Sequence, residues 1–431
     1  MRLRLMRLTE RFDTSYWLVP TLCVAGAIGL SYAAQAIDSH LSQEEHAWYL
    51  FRGGPEGARS VLSAVASSMM TFSGLVFSVT ILVLQQASNQ FSPRVLRTFL
   101  RDRQSQLALG IFVGTFVYAL LTLRGVRGTS EGIELHVPSL SVWLAVVLGV
   151  LCVGTFIFFI HHVSQSIRAV VILTRIGNET RHSLERMYPD GIGEDVEDSR
   201  LERPPAPASL LVPHSGTSGV LVAVDEEELF TCARKAGVTL ALVPMVGDFV
   251  PHGSPLFEVW GEGARLEVEA LLSAINIGPE RTLHQDTAFG FRQLVDIAER
   301  ALSPGINDPT TAVQAIDQLH DLLRRLVRQR FPSPAREDEA GTVRLLCPRP
   351  GWSAYVRLAV DEVRDYGAGS LQVARRLRFL LEDLLRVAPP FRRAELERQL
   401  SLLDASVGRA FEDVREAETA RHANPQGHGP H

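Results

Sequence analysis

Four long apolar runs in the first 163 residues constrain the fold of this chain more than any other feature. They cover residues of about 16–37, 61–84, 107–123 and 140–160, and none has a charged residue in its middle. A helix of about 20 residues crosses the ~30 Å hydrocarbon core of a bilayer, so each run is long enough to span a membrane. The sequence therefore predicts an integral membrane protein with an α-helical, four-span transmembrane domain over residues 1–163.

The distribution of arginine predicts the orientation of these spans. Arginines cluster in the N-terminal tail, in the connection between the second and third runs, and after the fourth run. The two opposite loops hold only Arg52, Arg59, Arg124 and Arg127. Because basic residues favour the cytoplasmic side of a membrane, both termini are predicted to be cytoplasmic. The lipid bilayer is thus the first expected partner of the chain.

The second run carries small and hydroxyl-bearing residues at alternating steps of four and three, which places them on one helix face. We call this set the α2 stripe; it consists of Ser60, Ala64, Ser67, Thr71, Gly74 and Ser78. One interpretation is close helix–helix packing, because small residues let two backbones approach. The other is a helix that lines the polar path of a pore. The stripe has no charge, which favours packing.

The chain after the fourth span is predicted to be a cytoplasmic α+β region. Residues 164–208 have the pattern of a juxtamembrane helix and linker, and 209–262 that of a small β-sandwich-like module. The module is similar to the hairpin of lipoyl- and biotin-carrier domains, but Lys235, the only lysine of the chain, does not lie at a hairpin tip. Residues 263–422 are predicted to form an α-helical domain, and 423–431 a disordered tail.

Several kinds of chemistry are disfavoured by the sequence. It has no Gly-Lys-Ser/Thr loop for nucleotide phosphates, no His-Glu-x-x-His and no Cys-x-x-Cys. We therefore predict no cofactor, no metal and no catalytic residue, and we favour a protein that is not an enzyme. The chain after the fourth span has more acidic than basic residues and would repel phosphate, which disfavours binding to nucleic acid.

The segment between residues 281 and 311 is rich in polar and turn-forming residues. Asp286 and Asp308 can each cap a helix, and the amides that begin the second helix could hold an anion. Arg292, Asp296 and Arg300 follow at steps of four and can form a ladder of ion pairs. The candidates for ligand binding are Gln285, Asp286, Arg292, Asp296, Arg300, Asn307 and Asp308. Capped turns and a salt-bridged surface explain the same residues, and this structural interpretation is favoured.

Several motifs resemble one bacterial family. They lie at residues 72–78, 90–94, 285–286, 292–298 and 300–309, the last containing Ser-Pro-Gly-Ile-Asn-Asp-Pro. In these the chain is similar to the domain of unknown function 2254 family of predicted membrane proteins. The resemblance implies a protein of the bacterial inner membrane with a cytoplasmic region, and it implies no activity.

Three functional hypotheses follow from the sequence. The first is a homo-oligomeric membrane protein whose cytoplasmic region senses or scaffolds. The second is a channel-like protein in which the second span lines a pore. The third is a membrane-anchored enzyme or ligand-binding protein with a site around Asp286–Asp308.

Overall fold

The structure is a computed structural model in which the described residues form two compact units. It describes residues 17–40, 51, 53–90, 102–127, 137–166, 168–189, 191, 203–262 and 266–427. The units divide between Arg168 and Ala169. We call the first the membrane unit and the second the mixed unit.

The described part of the membrane unit consists of four long helices. They are α1 (Leu18–His40), α2 (Pro55–Gln90), α3 (Arg103–Gly125) and α4 (Ser139–Ser166). Each contains a segment that is long and apolar enough to cross a bilayer. This confirms the prediction of four apolar helices in the N-terminal region. At 36 residues, α2 is the longest and extends over about 54 Å.

Helices α1 and α3 pack closely because α3 presents two glycines, four residues apart, at the contact. A Cβ atom on Gly110 would lie 2.8 Å from Sγ of Cys23 and 3.1 Å from Cα of Pro20. One on Gly114 would lie 3.2 Å from the carbonyl oxygen of Cys23. Small residues at this spacing let the backbones of two membrane helices approach each other. Larger side chains at either glycine would separate α1 from α3.

Two carboxylates tie helix ends of the membrane unit to neighbouring helices. Asp38, near the end of α1, accepts hydrogen bonds from the amides of Leu140 (2.9 Å) and Ser141 (3.0 Å) at the start of α4. Asp102 caps the start of α3 and also lies 2.9 Å from Nε2 of His162 near the end of α4. Both carboxylates bind amides that have no partner within their own helix.

The mixed unit contains nine described helices. They are α5 (Ala169–Met187), α6 (Glu226–Ala236), α7 (Val268–Ser273), α8 (Thr287–Leu302), α9 (Pro309–Leu326), α10 (Trp352–Gly367), α11 (Leu371–Val387), α12 (Pro390–Ala410) and α13 (Val414–Ala420). Helix α11 runs through the helical core, where Val373, Leu377, Leu380 and Leu384 are almost fully buried.

Eight short strands in the described residues form two sheets in the mixed unit. They are β1 (Leu210–Pro213), β2 (Gly219–Val224), β3 (Thr239–Leu242), β4 (Phe249–Val250), β5 (Pro255–Trp260), β6 (Ile275–Gly278), β7 (Ala335–Glu337) and β8 (Val343–Leu346). One sheet has the order β1-β5-β3-β8-β7 and the other β4-β2-β6. All pairs are antiparallel except β3 with β8. The chain after the spans thus combines helices and sheets, as predicted.

The strands extend beyond the range 209–262 predicted for the β module. Strands β6, β7 and β8 lie within 263–422, where the sequence predicts an α-helical domain. These strands have only three or four residues, too few for a clear alternation of apolar and polar side chains. Strand β8 also depends on a distant partner, since Leu345 lies opposite Leu240 of β3.

The chain end includes residues 423–431, which the sequence predicts to be a disordered tail. Residues 424–427 form a turn beside the start of α11, where Nε2 of Gln372 donates to the carbonyl of Gln426 at 3.5 Å. Residues 428–431 of the predicted tail lie outside the described residues.

Candidate functional site

Helix α5 follows the last membrane helix almost directly and is part of the core of the mixed unit. Only residues 167 and 168 separate the end of α4 from the start of α5. One face of α5, which includes Ile172, Leu173, Ile176 and Leu184, is buried against α8 and α9. The juxtamembrane helix is therefore a structural element of the mixed unit rather than a loose linker.

Two glycines allow α5 to approach its neighbours closely. A Cβ atom on Gly290 of α8 would overlap the side chain of Thr180 on α5. In the same way, a Cβ atom on Gly177 of α5 would overlap the side-chain oxygen of Gln318 on α9. Thr180 directs its hydroxyl to the carbonyl of Ile176 at 2.7 Å, which fixes its position. At Gly290 the contact with Thr180 leaves no room for an added side chain, whereas at Gly177 the end of the flexible Gln318 side chain would have to move.

A series of buried hydroxyl groups continues from α5 into the core. Oγ of Ser183 donates to the carbonyl of Leu283 at 3.0 Å and lies 2.9 Å from Oγ1 of Thr287. The hydroxyls of Tyr188 and Tyr355 lie 2.9 Å apart. Complete burial raises the pKa of Tyr355 well above its usual range, and Tyr188 adds to this effect. The phenol of Tyr355 is therefore protonated at neutral pH and available as a hydrogen-bond donor.

Asp286 caps α8 and forms a buried ion pair with Arg281. Its Oδ1 accepts from the amide of Phe289 at 3.0 Å and from Nη2 of Arg281 at 3.0 Å, and its Oδ2 accepts from Nε of Arg281 at 2.7 Å. Burial raises the pKa of Asp286, although Arg281 and the Phe289 amide act in the opposite direction. Gly247, with φ of +100°, lies against the pair, and a Cβ there would be 2.5 Å from Oδ2 of Asp286.

Gln285 joins the start of α8 to the β module. Its Oε1 accepts from the amide of Val224 at 2.8 Å, and its Nε2 donates to the carbonyl of Val224 at 3.1 Å. Val224 is the last residue of β2. The side-chain amide of Gln285 therefore binds both backbone groups of Val224, as a residue of a neighbouring strand would. We call Gly247, Arg281, Gln285 and Asp286 the junction, since they connect the sheets to the helical core.

Arg292, on the buried part of α8, faces three carboxylates. Its Nε lies 2.5 Å from Oδ1 of Asp296, and its Nη2 lies 3.0 Å from Oε2 of Glu299. Its Nη1 binds Glu362 of α10. We call these four residues the Arg292 cluster. Burial, together with a hydrogen bond to Glu362, raises the pKa of Glu299 from 4.5 to about 7. The predicted Arg292–Asp296 pair is present, and Arg300 lies on the exposed side of α8.

Asp308 caps α9 with its own carboxylate. Its Oδ1 accepts from the amide of Thr311 at 3.1 Å, and its Oδ2 accepts from the hydroxyl of Thr311 at 2.6 Å. The preceding residue, Asn307, has φ of 49° and is the only non-glycine residue with positive φ within the described ranges. The amide of Thr311, one of those that could bind an anion, is thus already bound by Asp308.

The seven candidate residues do not converge on a single site. Gln285 and Asp286 belong to the junction, whereas Asn307 and Asp308 lie in the turn after α8. The 16 residues of α8 place these two groups about 24 Å apart. Arg292 and Asp296 lie between them, in the Arg292 cluster. In the described parts of the chain, no group of three His, Cys, Asp or Glu side chains could hold a metal ion.

Asp102, His162 and Ser166 have the residue types of a hydrolase triad, but their geometry differs. Oδ2 of Asp102 (2.9 Å) and Oγ of Ser166 (3.2 Å) both lie beside the same ring nitrogen, Nε2 of His162. A triad uses one ring nitrogen for the acid and the other for the nucleophile. This arrangement is therefore suited to holding α3 against α4 and does not activate the serine.

The α2 stripe lies on the face of α2 that points away from the other described membrane helices. All six of its residues are exposed, whereas Ala58, Leu62, Met69 and Val76 on the opposite face are buried. Apart from the adjoining part of α2 itself, no atom of the described residues lies within 4 Å of a Cβ placed on Gly74. The stripe therefore makes no close helix contact within the described part of the membrane unit.

Sequence reasoning missed the residues that hold α5 and α1 in place. Gly290 could have been noticed, because glycine within a helix costs about 1 kcal/mol relative to alanine and suggests a close contact. Gly110 and Gly114 have the four-residue spacing of a membrane packing motif. The partners of the Arg292 cluster gave no such signal, since Glu362 is 70 residues from Arg292.

Comparisons with known proteins show which family the chain resembles. The profile described as "Predicted membrane protein (DUF2254)" matches residues 13–383. An uncharacterised protein of Mycobacterium tuberculosis and one of Mycobacterium bovis are each 35% identical to this chain over 408 residues. The matched region covers 92% of this chain and 77% of each relative. No solved structure matches the chain.

Proposed function

Because the chain belongs to the DUF2254 family of predicted membrane proteins, we propose that it is a homo-oligomeric, multi-pass protein of the bacterial inner membrane. Both termini lie in the cytoplasm in this proposal, as the distribution of arginine indicates. Its mixed unit senses or scaffolds and catalyses no reaction.

The main support for an oligomer is that all six residues of the α2 stripe are exposed. Large apolar residues beside the stripe, such as Met70 and Phe77, are suited to contact with lipid tails. Small and hydroxyl-bearing residues are instead suited to close contact with another helix. A second copy that presents the same stripe would provide this contact, because a two-fold interface joins identical surfaces.

The packing of α5 supports a sensing or scaffolding role for the mixed unit. Helix α5 is separated from α4 by two residues and contacts α8 without room for an added Cβ at Gly290. A shift of α5 would therefore also move α8, which begins at the junction with the β module. Such an arrangement is suited to transmitting a conformational change between a membrane segment and a soluble region.

The contacts of the candidate ligand residues make an enzyme or a ligand-binding site less well supported. Asp286 is bound by Arg281, and Asp308 by Thr311. Arg292 is surrounded by carboxylates of its own chain. Each of these side chains has a structural role that accounts for its presence.

A channel is the second candidate, and the same exposed stripe favours it. In a ring of three or more copies, the hydroxyls of Ser67 and Thr71 could face a central path. A two-fold dimer would instead bury the stripe between two helices and leave no path. The number of copies therefore separates the two candidates.

Cysteine cross-linking in membranes tests the proposed contact. In a variant whose four native cysteines are replaced by alanine, Thr71→Cys is expected to form disulfide-linked dimers on mild oxidation. Two Cβ atoms must approach within about 4.5 Å for this bond, and only a close stripe-to-stripe contact brings them so near.

Met70→Cys is the matched control for this experiment. Met70 is 62% exposed, lies at the same depth as Thr71, and points about 100° away around the helix. We expect little or no cross-linking at residue 70. Equal cross-linking at both positions, or none at residue 71 in an inserted protein, would contradict the proposed interface.

A further inference from the structure

The Arg292 cluster places more negative than positive charge at the contact between α8 and α10. One guanidinium faces Asp296 and Glu299 on α8 and Glu362 on α10. The Asp296 and Glu299 side chains are 8% and 21% exposed, and the Glu362 side chain is 47% exposed. With all three carboxylates ionised, the cluster would carry two uncompensated negative charges in a partly buried place, which is electrostatically unfavourable.

Glu299 and Glu362 are the pair best placed to share a proton. They bind the two Nη atoms of the same planar guanidinium, so their carboxyl groups are neighbours. Two carboxylates that share a site do not both ionise readily, and one proton between them converts repulsion into a hydrogen bond. The raised pKa of Glu299, about 7, agrees with this geometry.

Several charged groups on the other elements around α8 are engaged in ion pairs of their own. These pairs are Arg181 with Asp321, Arg376 with Asp317, Arg364 with Asp361, and Arg364 with Asp365. Arg300, the residue after Glu299, lies on the exposed side of α8. The groups that act most strongly on Glu299 are therefore Arg292, Asp296 and Glu362.

We propose that Glu299 and Glu362 form a proton-binding latch that ties α8 to α10 and weakens as the pH rises through neutrality. With the proton bound, the carboxyl group of one residue donates to the carboxylate of the other across the contact. Without it, two carboxylates repel each other between the two helices. The ligand of the latch is a proton from the solution around the mixed unit. The latch stands apart from the proposed function, but its use as the input of a sensor rests on it.

The sign of the pH dependence follows from the direction of the pKa shift. The pKa of Glu299 is raised in the folded chain, so the folded state binds the proton more tightly than the unfolded state does. The stabilisation is complete below about pH 4.5 and is lost as the pH rises through about 7. Between pH 5 and 8, the equilibrium constant for folding is expected to fall by a factor on the order of tens.

The test is the thermal unfolding of the full chain in detergent between pH 5 and 8.5. The unfolding temperature of the mixed unit in the wild type should fall as the pH rises from 5 to about 7 and should level off above that. Glu299→Gln and Glu362→Gln each replace one carboxyl group by a neutral donor, so both variants should lose this change. Glu397→Gln, at an exposed position of α12, should keep it.

A wild type without the pH-dependent change, or variants that keep it in full, would overturn the latch. If one glutamine variant fails to fold, the other still decides the question, because either substitution removes the shared proton. Cross-linking through Thr71→Cys is unaffected by failure of the latch, so the two proposals can fail separately.

Discussion

Asp286→Ala is expected to lower the free energy of unfolding of the mixed unit by about 3–5 kcal/mol, the usual cost of breaking a buried ion pair. The substitution leaves the guanidinium of Arg281 without its carboxylate in a largely buried place. It also removes the cap from the amide of Phe289. The loss can be measured by urea titration of the full chain in detergent.

Asp308→Ala is the matched comparison for this experiment. Asp308 caps α9 in the same way, but no arginine is paired with its carboxylate among the described contacts. Removal of a simple helix cap costs about 1 kcal/mol. A cellular defect in Asp286→Ala with unchanged stability would contradict the structural role and would favour a binding site at the junction.

Gly290→Ala is expected to destabilise the mixed unit by about 1–3 kcal/mol, the usual cost of adding an atom to a packed core. In an exposed helix the same substitution would stabilise by up to ~1 kcal/mol. The sign reverses here because the new methyl group would overlap Thr180 of α5. We expect the substitution to loosen α5 and to increase its digestion by proteases.

Gly408→Ala provides the control for the helix propensity of alanine. Gly408 lies near the end of α12, and the nearest atom to an added Cβ is the tip of the Arg421 side chain, at 3.3 Å. Its replacement should leave stability unchanged or slightly higher. If Gly290→Ala behaved in the same way, the close approach of α5 to α8 would be refuted.

The membrane helices and the helix caps could be predicted from the sequence because their signals are local. An apolar run of about 20 residues without charge indicates a membrane-spanning helix by itself. Asp286 and Asp308 each precede a helical pattern, and Asp308 is followed by a proline suited to the first helical turn. The structural role of both residues was thus within reach of sequence reasoning.

Long-range partners could not be predicted in this way. The sequence placed Arg292 and Asp296 on one face of a helix, but it could not bring Glu362 from another helix to the same guanidinium. Strand β8 likewise depends on its pairing with β3. The hydrogen bonds of the Gln285 side chain depend on Val224 of β2, which is also distant in the sequence. The direction of the α2 stripe also required the structure, because the spacing defines a face without showing what it contacts. The sandwich-like shape of the β module stays a prediction.

The exposed stripe as a contact between copies is the central claim, and the native mass of the complex in lipid nanodiscs tests it most directly. The wild type should have a protein mass of two or more times the 47.5 kDa of one chain. A variant with Ser67, Thr71 and Gly74 replaced by leucine should shift to a single chain, because leucine blocks close approach and is compatible with lipid. A single chain in the wild type, or an unchanged multiple in the variant, would contradict the account.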